Sequence, residues 1–270
     1  MKRIMEILQH QVNEPTLYGW FHLMWLGIII ALGVFLIVKY RNSSEKTFKK
    51  IVFIAWAIMF SFELYKQFVY SYVIEDAIIS WEYSFVGLPY QFCSTPLYLF
   101  PFLAFLNNGK AKDGLIVYTS TFSLFAGIAV LLYPDTVFVE TLGINIQTMV
   151  HHGLQAVIGL FTLVYYKDRF SIKSFGYAAI VFIVMISVAI IGNEIGNAIL
   201  INLGIDETVN LFYISRHGEC VIIILSSIQQ YVPHILFLII YFIGFSLIAF
   251  VFYIIEKTFI SRYYRLKQGN

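Results

Sequence analysis

The chain has 270 residues, of which 59% are hydrophobic and only 13% are charged, against roughly 25% charged residues in an average soluble domain. With a mean hydropathy of +0.77 spread along the whole length, this composition excludes a soluble domain, a coiled coil and a disordered chain. The net charge of +2 comes from 18 basic and 16 acidic residues that are scattered along the chain, so we expect no nucleic-acid partner. The composition therefore predicts an integral membrane protein.

The first 14 residues are polar and mixed in charge. They lack the apolar core and small-residue cleavage site of a signal peptide. We therefore expect the first membrane helix to act as the insertion signal, preceded by a mobile N-terminal end.

Seven apolar segments follow, each near the ~20 residues that cross a ~30 Å hydrocarbon core. The third contains Pro96 and Pro101. A proline inside a helix removes one backbone hydrogen bond, so we predict a kink beside Cys93. The predicted spans are residues 17–39, 51–73, 89–107, 114–133, 145–166, 175–200 and 234–256.

Residues 201–233 are predicted to form an external connection. Their apolar run at 221–225 is too short to cross a membrane, and we interpret it as interfacial or re-entrant. The whole chain, residues 1–270, is thus expected to form one all-α domain of seven transmembrane helices.

Basic residues set the predicted orientation, because short loops rich in Lys and Arg stay cytoplasmic. Every second loop is basic, and the loops between them carry acids. We therefore expect the N-terminus outside and the C-terminus in the cytoplasm. The basic residues on the predicted inner side are Lys39, Arg41, Lys46, Lys49, Lys50, Lys110, Lys112, Lys167, Arg169, Lys173, Lys257, Arg262, Arg265 and Lys267, and the acids on the outer side are Glu75, Asp76, Glu82, Asp135, Glu140, Asp206, Glu207 and Glu219.

Polar residues of the predicted helices lie mostly in the outer half of the membrane. Ionisable groups are costly in hydrocarbon and usually face a bundle interior or a cavity. The inner halves are almost wholly apolar, which favours a one-sided polar cavity over a transport path or a channel. The residues concerned are His22, Glu63, Lys66, Cys93, His151, His152, Asn193, Glu194 and Asn197.

Within this set, Cys93 and a histidine have the chemistry of a nucleophile and its base. An imidazole can take the thiol proton, and the thiolate can accept an acyl group as a thioester. Alternatively, Cys93 is a small buried hydrophobe, and His151 belongs to a polar stripe with Gln147 and Gln155 that packs helices.

The remaining polar residues also have structural interpretations. Glu63 and Lys66 are three residues apart on a helix, which predicts an ion pair, and the asparagines at 193 and 197 are alternatively interhelical hydrogen-bonding groups. Two cysteines are too few for a Cys-built metal site, and we expect no metal and no cofactor. One disulfide, between Cys93 and Cys220, stays open.

Six short motifs resemble the YwaF-like integral membrane proteins of bacteria, which are related to eukaryotic transmembrane acyltransferases acting on ether phospholipids. The similarity runs over most of the chain in order and spacing. The motifs are Phe21-His22, Glu63, Leu88-Pro89-Tyr90-Gln91-Phe92-Cys93, Gly127 through Tyr133-Pro134-Asp135, His152-Gly153 and Asn210-Leu211-Phe212-Tyr213.

The resemblance implies a Cys nucleophile, a His partner and acyl transfer between lipids. Gln91 replaces the histidine that the family motif has just before its cysteine, which removes one potential base or metal ligand. In this interpretation Cys93 carries the acyl group, His152 is the base and His151 the alternative base. His22, Glu63, Gln91, Asn193, Glu194 and Asn210 would line the cavity or orient the substrate.

The sequence thus predicts a lipid acyltransferase or lipid hydrolase of the bacterial plasma membrane, working on a membrane phospholipid or other acyl lipid in the outer leaflet. The alternative is a non-enzymatic protein that binds a lipid or small molecule, or assists a transport system. The oligomeric state is not predicted.

The predicted orientation is testable with topology reporters. Reporters fused after Asn42, Lys110 and Lys167 should read cytoplasmic, because the basic loops hold these positions inside. Reporters after Asp76, Asp135 and Asp206 should read external. An inverted pair of readings would contradict the outer-side cavity.

Overall fold

The computed structural model describes residues 2–75, 78–134 and 137–268, so Asp76 and Asp135 of the predicted outer loops lie outside the described residues. It is almost entirely α-helical, with one short β-hairpin. The helices are α1 (Lys2–Leu8), α2 (Trp20–Tyr40), α3 (Glu45–Tyr70), α4 (Thr95–Phe105), α5 (Lys110–Tyr118), α6 (Leu124–Leu132), α7 (Leu142–Tyr165), α8 (Ile172–Leu203), α9 (Ile223–Gln229) and α10 (His234–Gln268), and the strands are β1 (Tyr72–Glu75) and β2 (Ile78–Trp81).

Five helical segments in the described part of the chain are long and apolar enough to cross a membrane. They are Trp20–Tyr40, Lys110–Leu132, Leu142–Tyr165, Ile172–Leu203 and His234–Arg262, and a shorter apolar segment spans Phe92–Phe105. The segment Lys110–Leu132 joins α5 and α6 through a π-helical turn, Thr119–Ser123. Each overlaps a predicted span, so the prediction of a multi-pass helical membrane protein is confirmed.

The helices differ in how much of their surface other helices cover. Most of the apolar stretch of Lys110–Leu132 and of α7 is buried, whereas most of α2 and α10 is exposed. On α2, for example, Ile30 and Val38 are exposed although both are large and apolar. The central helices therefore build the interior, and the outer helices present apolar side chains to lipid.

The predicted kink beside Cys93 is wrong in its geometry. Cys93 lies in a 3-10 turn, Phe92–Ser94, and α4 begins only after it, with Pro96 in its first turn. A proline is tolerated there because the first backbone N–H groups of a helix have no intrahelical acceptor. The thiol is thus carried by the turn that precedes a helix rather than by a bent helix.

The N-terminal residues are docked, which corrects the expectation of a mobile end. The Gln9 side-chain amide donates to the carbonyl oxygens of Val69 (3.1 Å) and Tyr72 (2.7 Å), and the Val12 N–H donates to the Glu140 carbonyl oxygen. This segment therefore joins the end of α3 to the segment before α7. The hairpin β1–β2 follows α3 directly, with Tyr72 paired to Trp81, in a region that we interpreted only as a loop.

Glycines on α6 and α7 permit an unusually close helix contact. A Cβ atom at Gly127 would lie 3.0 Å from the Ala156 nitrogen and 3.0 Å from the His152 carbonyl oxygen. One at Gly159 would lie 2.9 Å from the Leu124 Cβ atom. Because two of these neighbours are backbone atoms, they cannot move aside without shifting α7, which carries both histidines.

We expect Gly127→Ala to destabilise the protein by about 1–3 kcal/mol, the usual cost of overpacking. Gly27→Ala is the matched control, since a Cβ atom at Gly27 on α2 meets nothing within 4 Å. Thermal unfolding of the two variants in detergent measures the difference. Equal unfolding midpoints would contradict the close contact between α6 and α7.

Candidate functional site

Cys93 is held in place by a histidine of α7. The Nε2 atom of His151 lies 3.1 Å from the Cys93 carbonyl oxygen. Because a carbonyl only accepts, this nitrogen carries the hydrogen and Nδ1 keeps the lone pair. The Cys93 side chain is half-buried, and it interacts with the Ser94 side chain through a hydrogen bond.

His152, next to His151 on α7, has a second ring nitrogen that keeps its lone pair. Its Nδ1 donates to the Thr148 carbonyl oxygen at 2.8 Å, which leaves the lone pair on Nε2. Neither His151 Nδ1 nor His152 Nε2 has a hydrogen-bond partner among the described residues, although both side chains are buried. The two ring centroids are 5.2 Å apart. The two imidazoles therefore leave two lone-pair nitrogens on the part of α7 that contacts Cys93.

The predicted ion pair on α3 is confirmed. Lys66 Nζ lies 2.8 Å from Glu63 Oε1, and the Gln67 amide donates to the same oxygen at 2.7 Å. Lys66 also interacts electrostatically with Cys93 and with both histidines. The Lys66 cation is thus paired with Glu63 within α3, and its charge acts on the thiol and the imidazoles at longer range.

Residues 209–215, which we name the strap, pack against α8 through asparagine side chains. The Asn193 amide accepts from the Leu211 N–H at 2.7 Å and donates to the Leu211 carbonyl at 3.1 Å. Asn197 makes the same pair of bonds with Val209. These asparagines therefore bind the backbone of the strap, in place of the interhelical contact that we considered.

The strap also contacts the turn that carries Cys93. The Gln91 amide donates to the Asn210 carbonyl at 3.0 Å, and the Phe212 N–H donates to the Tyr90 carbonyl at 3.1 Å. Phe212 and Tyr213 both have φ of 56°, a left-handed conformation that is costly for large side chains and clusters at functional sites. The strap is thus a strained segment fixed against the two residues that precede the Cys93 turn.

A cavity of about 300 Å³ opens between the strap and Gln91. Asn210 lines it together with Gln91, and the Asn210 side chain is itself held by the Ser215 N–H and the Glu219 carbonyl. Burial raises the pKa of Tyr213, another lining residue, to about 12. Gln91 and Asn210 therefore line a cavity beside the strap, whose lining residues do not include Cys93, His151 or His152.

Two predicted site residues lie elsewhere. His22 is fully buried, and it accepts from the Tyr18 N–H and donates to the Leu131 carbonyl, so both of its nitrogens are used by the backbone. Glu194 is exposed and forms a salt bridge with Arg216. The structure gives these side chains roles in packing and at the surface.

Tyr241 of α10 is a residue that the sequence analysis missed. Its side chain is 1% exposed, and its hydroxyl has no hydrogen-bond partner in the described chain. A tyrosine within the run Phe237–Phe245 gives no polar signal in the sequence, because aromatic residues are common in membrane helices. Its ring packs on Phe245, which in turn packs on Phe92 in the Cys93 turn.

Both cysteines are free thiols, so the disulfide considered above does not form in this structure. No group of three or more His, Cys, Asp or Glu residues within the described ranges could hold a metal ion.

Comparison with known proteins gives one match. A model of the TMEM164 family matches residues 17–255, which is most of the chain. No curated protein and no solved structure matches.

The ion pair beside the site gives a stability test. Replacing Glu63 by Gln or Lys66 by Met alone should each cost about 3 kcal/mol, because the survivor is an unpaired buried charge, and the double variant should lose less than the two singles combined. The exposed pair Glu45 and Lys49, 3.8 Å apart, is the matched control, with an expected coupling below about 0.5 kcal/mol. Additive losses at Glu63 and Lys66 would contradict their coupling.

Proposed function

The chain belongs to the TMEM164 family of membrane proteins, and we propose that it is a membrane-embedded lipid acyltransferase or lipid hydrolase that works through a thioester on Cys93. The contact of His151 with Cys93, beside two lone-pair nitrogens without partners among the described residues, carries this proposal. The resemblance to YwaF-like proteins and to phospholipid acyltransferases supports it with the same pair of residue types.

The reaction uses groups of this chain alone. His152 Nε2 takes the thiol proton, and the thiolate attacks the carbonyl carbon of a lipid ester. A carbon–sulfur bond forms, the ester carbon–oxygen bond breaks, and the imidazolium returns its proton to the departing alcohol. A lipid hydroxyl or water, deprotonated by the same histidine, then attacks the thioester and regenerates the thiol.

The other polar residues have supporting roles in this mechanism. His151 positions Cys93 through its backbone carbonyl and is the alternative base through Nδ1. Lys66, paired with Glu63, holds the local charge on α3 in balance. Gln91 and Asn210 line the cavity beside the strap, and in this proposal the lipid approaches Cys93 from that side.

The proposal includes seven transmembrane helices that form one domain. They are the five long apolar segments together with α3 and the segment Phe92–Phe105. The contacts of Gln9 with Val69 and Tyr72 support a common side for the N-terminus and the hairpin. The Arg169–Asp113 salt bridge at 3.0 Å supports a common side for two basic loops. With basic loops inside, the N-terminus and the cavity face outward from a bacterial plasma membrane.

The second candidate function is lipid or small-molecule binding without bond making. It is favoured by the same unpartnered acceptors, His151 Nδ1, His152 Nε2 and Gln91 Oε1, since a hydrogen-bonding ligand would satisfy them equally well. The substrate in the enzymatic case is a membrane phospholipid or another acyl lipid.

Variants of the thiol and the imidazoles test the enzymatic proposal. With a phosphatidylcholine that carries a fluorescent acyl chain, the purified protein should gain the mass of that acyl group on Cys93. Cys93→Ser should abolish the thioester, because a hydroxyl is a poor substitute for a thiolate. His152→Gln should slow acylation ~10²-fold or more, the usual contribution of a general base.

Two further variants are controls. His151→Gln should retain most activity, since a glutamine amide can still donate to the Cys93 carbonyl. Cys220→Ser should leave acylation unchanged, because His151 hydrogen-bonds to Cys93 and not to Cys220. If acylation and turnover survive in both the Cys93 and His152 variants, the catalytic proposal fails. Retention of intact labelled lipid by those variants would then favour the binding function.

A further inference from the structure

The hydrogen-bond donors around Cys93 are almost all engaged. His151 uses its Nε2 hydrogen on the Cys93 carbonyl, and His152 uses its Nδ1 hydrogen on the Thr148 carbonyl. Gln91 donates to the Asn210 carbonyl. The polar atoms of these side chains that remain without a hydrogen-bond partner among the described residues are therefore acceptors. An acceptor cannot stabilise a negatively charged oxygen.

Tyr241 supplies the kind of group that the others lack. Its hydroxyl is buried and has no partner in the described residues, a property it shares with Tyr166, whereas two phenols linked to the segment around Cys93 are engaged. The Tyr118 hydroxyl donates to Thr95 Oγ1 at 3.2 Å, and the Tyr90 hydroxyl donates to the Met185 carbonyl at 3.3 Å. Tyr241 is therefore an unengaged donor in the interior.

The packing of α10 brings this donor to the Cys93 turn. The Tyr241 ring lies 4.6 Å from the Phe245 ring, and Phe245 lies 4.6 Å from Phe92, the neighbour of Cys93 in the chain. Tyr241 interacts electrostatically with Cys93 itself. The Tyr241 ring thus belongs to the aromatic layer that packs on the Cys93 turn from α10, a different helix from the α7 imidazoles.

We propose that the Tyr241 hydroxyl is a catalytic group that donates a hydrogen bond to the carbonyl oxygen of the acyl group as Cys93 attacks it. The inference rests on the function proposed above. When the carbon–sulfur bond forms, the carbonyl π electrons move to this oxygen, and a positioned donor stabilises the resulting oxyanion. The phenol keeps its proton, so the proton balance between the thiol, His152 and the leaving alcohol is unchanged.

Tyr241→Phe removes the hydroxyl alone. Because that hydroxyl has no partner to lose, we expect the thermal midpoint to stay the same or rise. The rate of Cys93 acylation by fluorescent-acyl phosphatidylcholine should fall ~10²- to 10³-fold, the usual effect of losing one oxyanion donor. The apparent KM should change little, since the bond forms fully only in the transition state.

Tyr253→Phe is the matched control on the same helix. Its side chain is also 1% exposed, and its hydroxyl contacts Lys257 at 3.3 Å, three turns from Tyr241. This variant should acylate at the wild-type rate. Equal acylation rates in Tyr241→Phe and wild type would overturn the role of Tyr241 alone, whereas a wild-type protein that forms no adduct would overturn the proposed function as well.

Discussion

A polar atom inside a membrane has no water to replace a missing hydrogen bond, so each one must find a partner in the protein or raise the free energy of the folded state. Much of the interior follows this constraint. Ser120 and Thr121 bond to backbone carbonyls one turn earlier, and His22 uses both nitrogens on backbone atoms. Unpartnered atoms also occur singly, as on Thr162. Near Cys93 several occur together, on His151, His152 and Gln91, so this region carries a cost that a hydrogen-bonding partner would reduce.

The strap links that region to the rest of the bundle. Asn193 and Asn197 each bind one residue of the strap through both its N–H and its carbonyl, much as a neighbouring β-strand would. These bonds hold a backbone that includes two consecutive left-handed residues, and Gln91 ties it to the thiol turn. Asparagines that the sequence presented as candidate site residues therefore act indirectly, by fixing the wall of the cavity.

The parts of this structure that the sequence predicts are those with a local signal. Apolar runs of about 20 residues predict membrane helices, and a spacing of three predicts the contact of Glu63 with Lys66. The docking of Gln9 onto Val69 and the capture of the strap by Asn193 join residues far apart in the chain, and no periodicity indicates them. The hairpin had a weak local signal in its β-branched residues, but hydropathy alone does not separate it from a loop. Tyr241 could not be identified from the sequence. Its interest depends on a hydroxyl without a hydrogen-bond partner among the described residues, which only the packed interior shows.

The docking of residues 9–12 has a consequence for the order in which the chain assembles. Their partners are Val69, Tyr72 and Glu140, which leave the ribosome later than residues 9–12 do. This segment therefore has to wait unpaired until the end of α3 and the region before α7 have been synthesised. Its contacts are of long range in sequence and form late. Residues 9–12 thus complete the fold rather than begin it, and a substitution at Gln9 would disturb the final packing of this segment more than the formation of the helices.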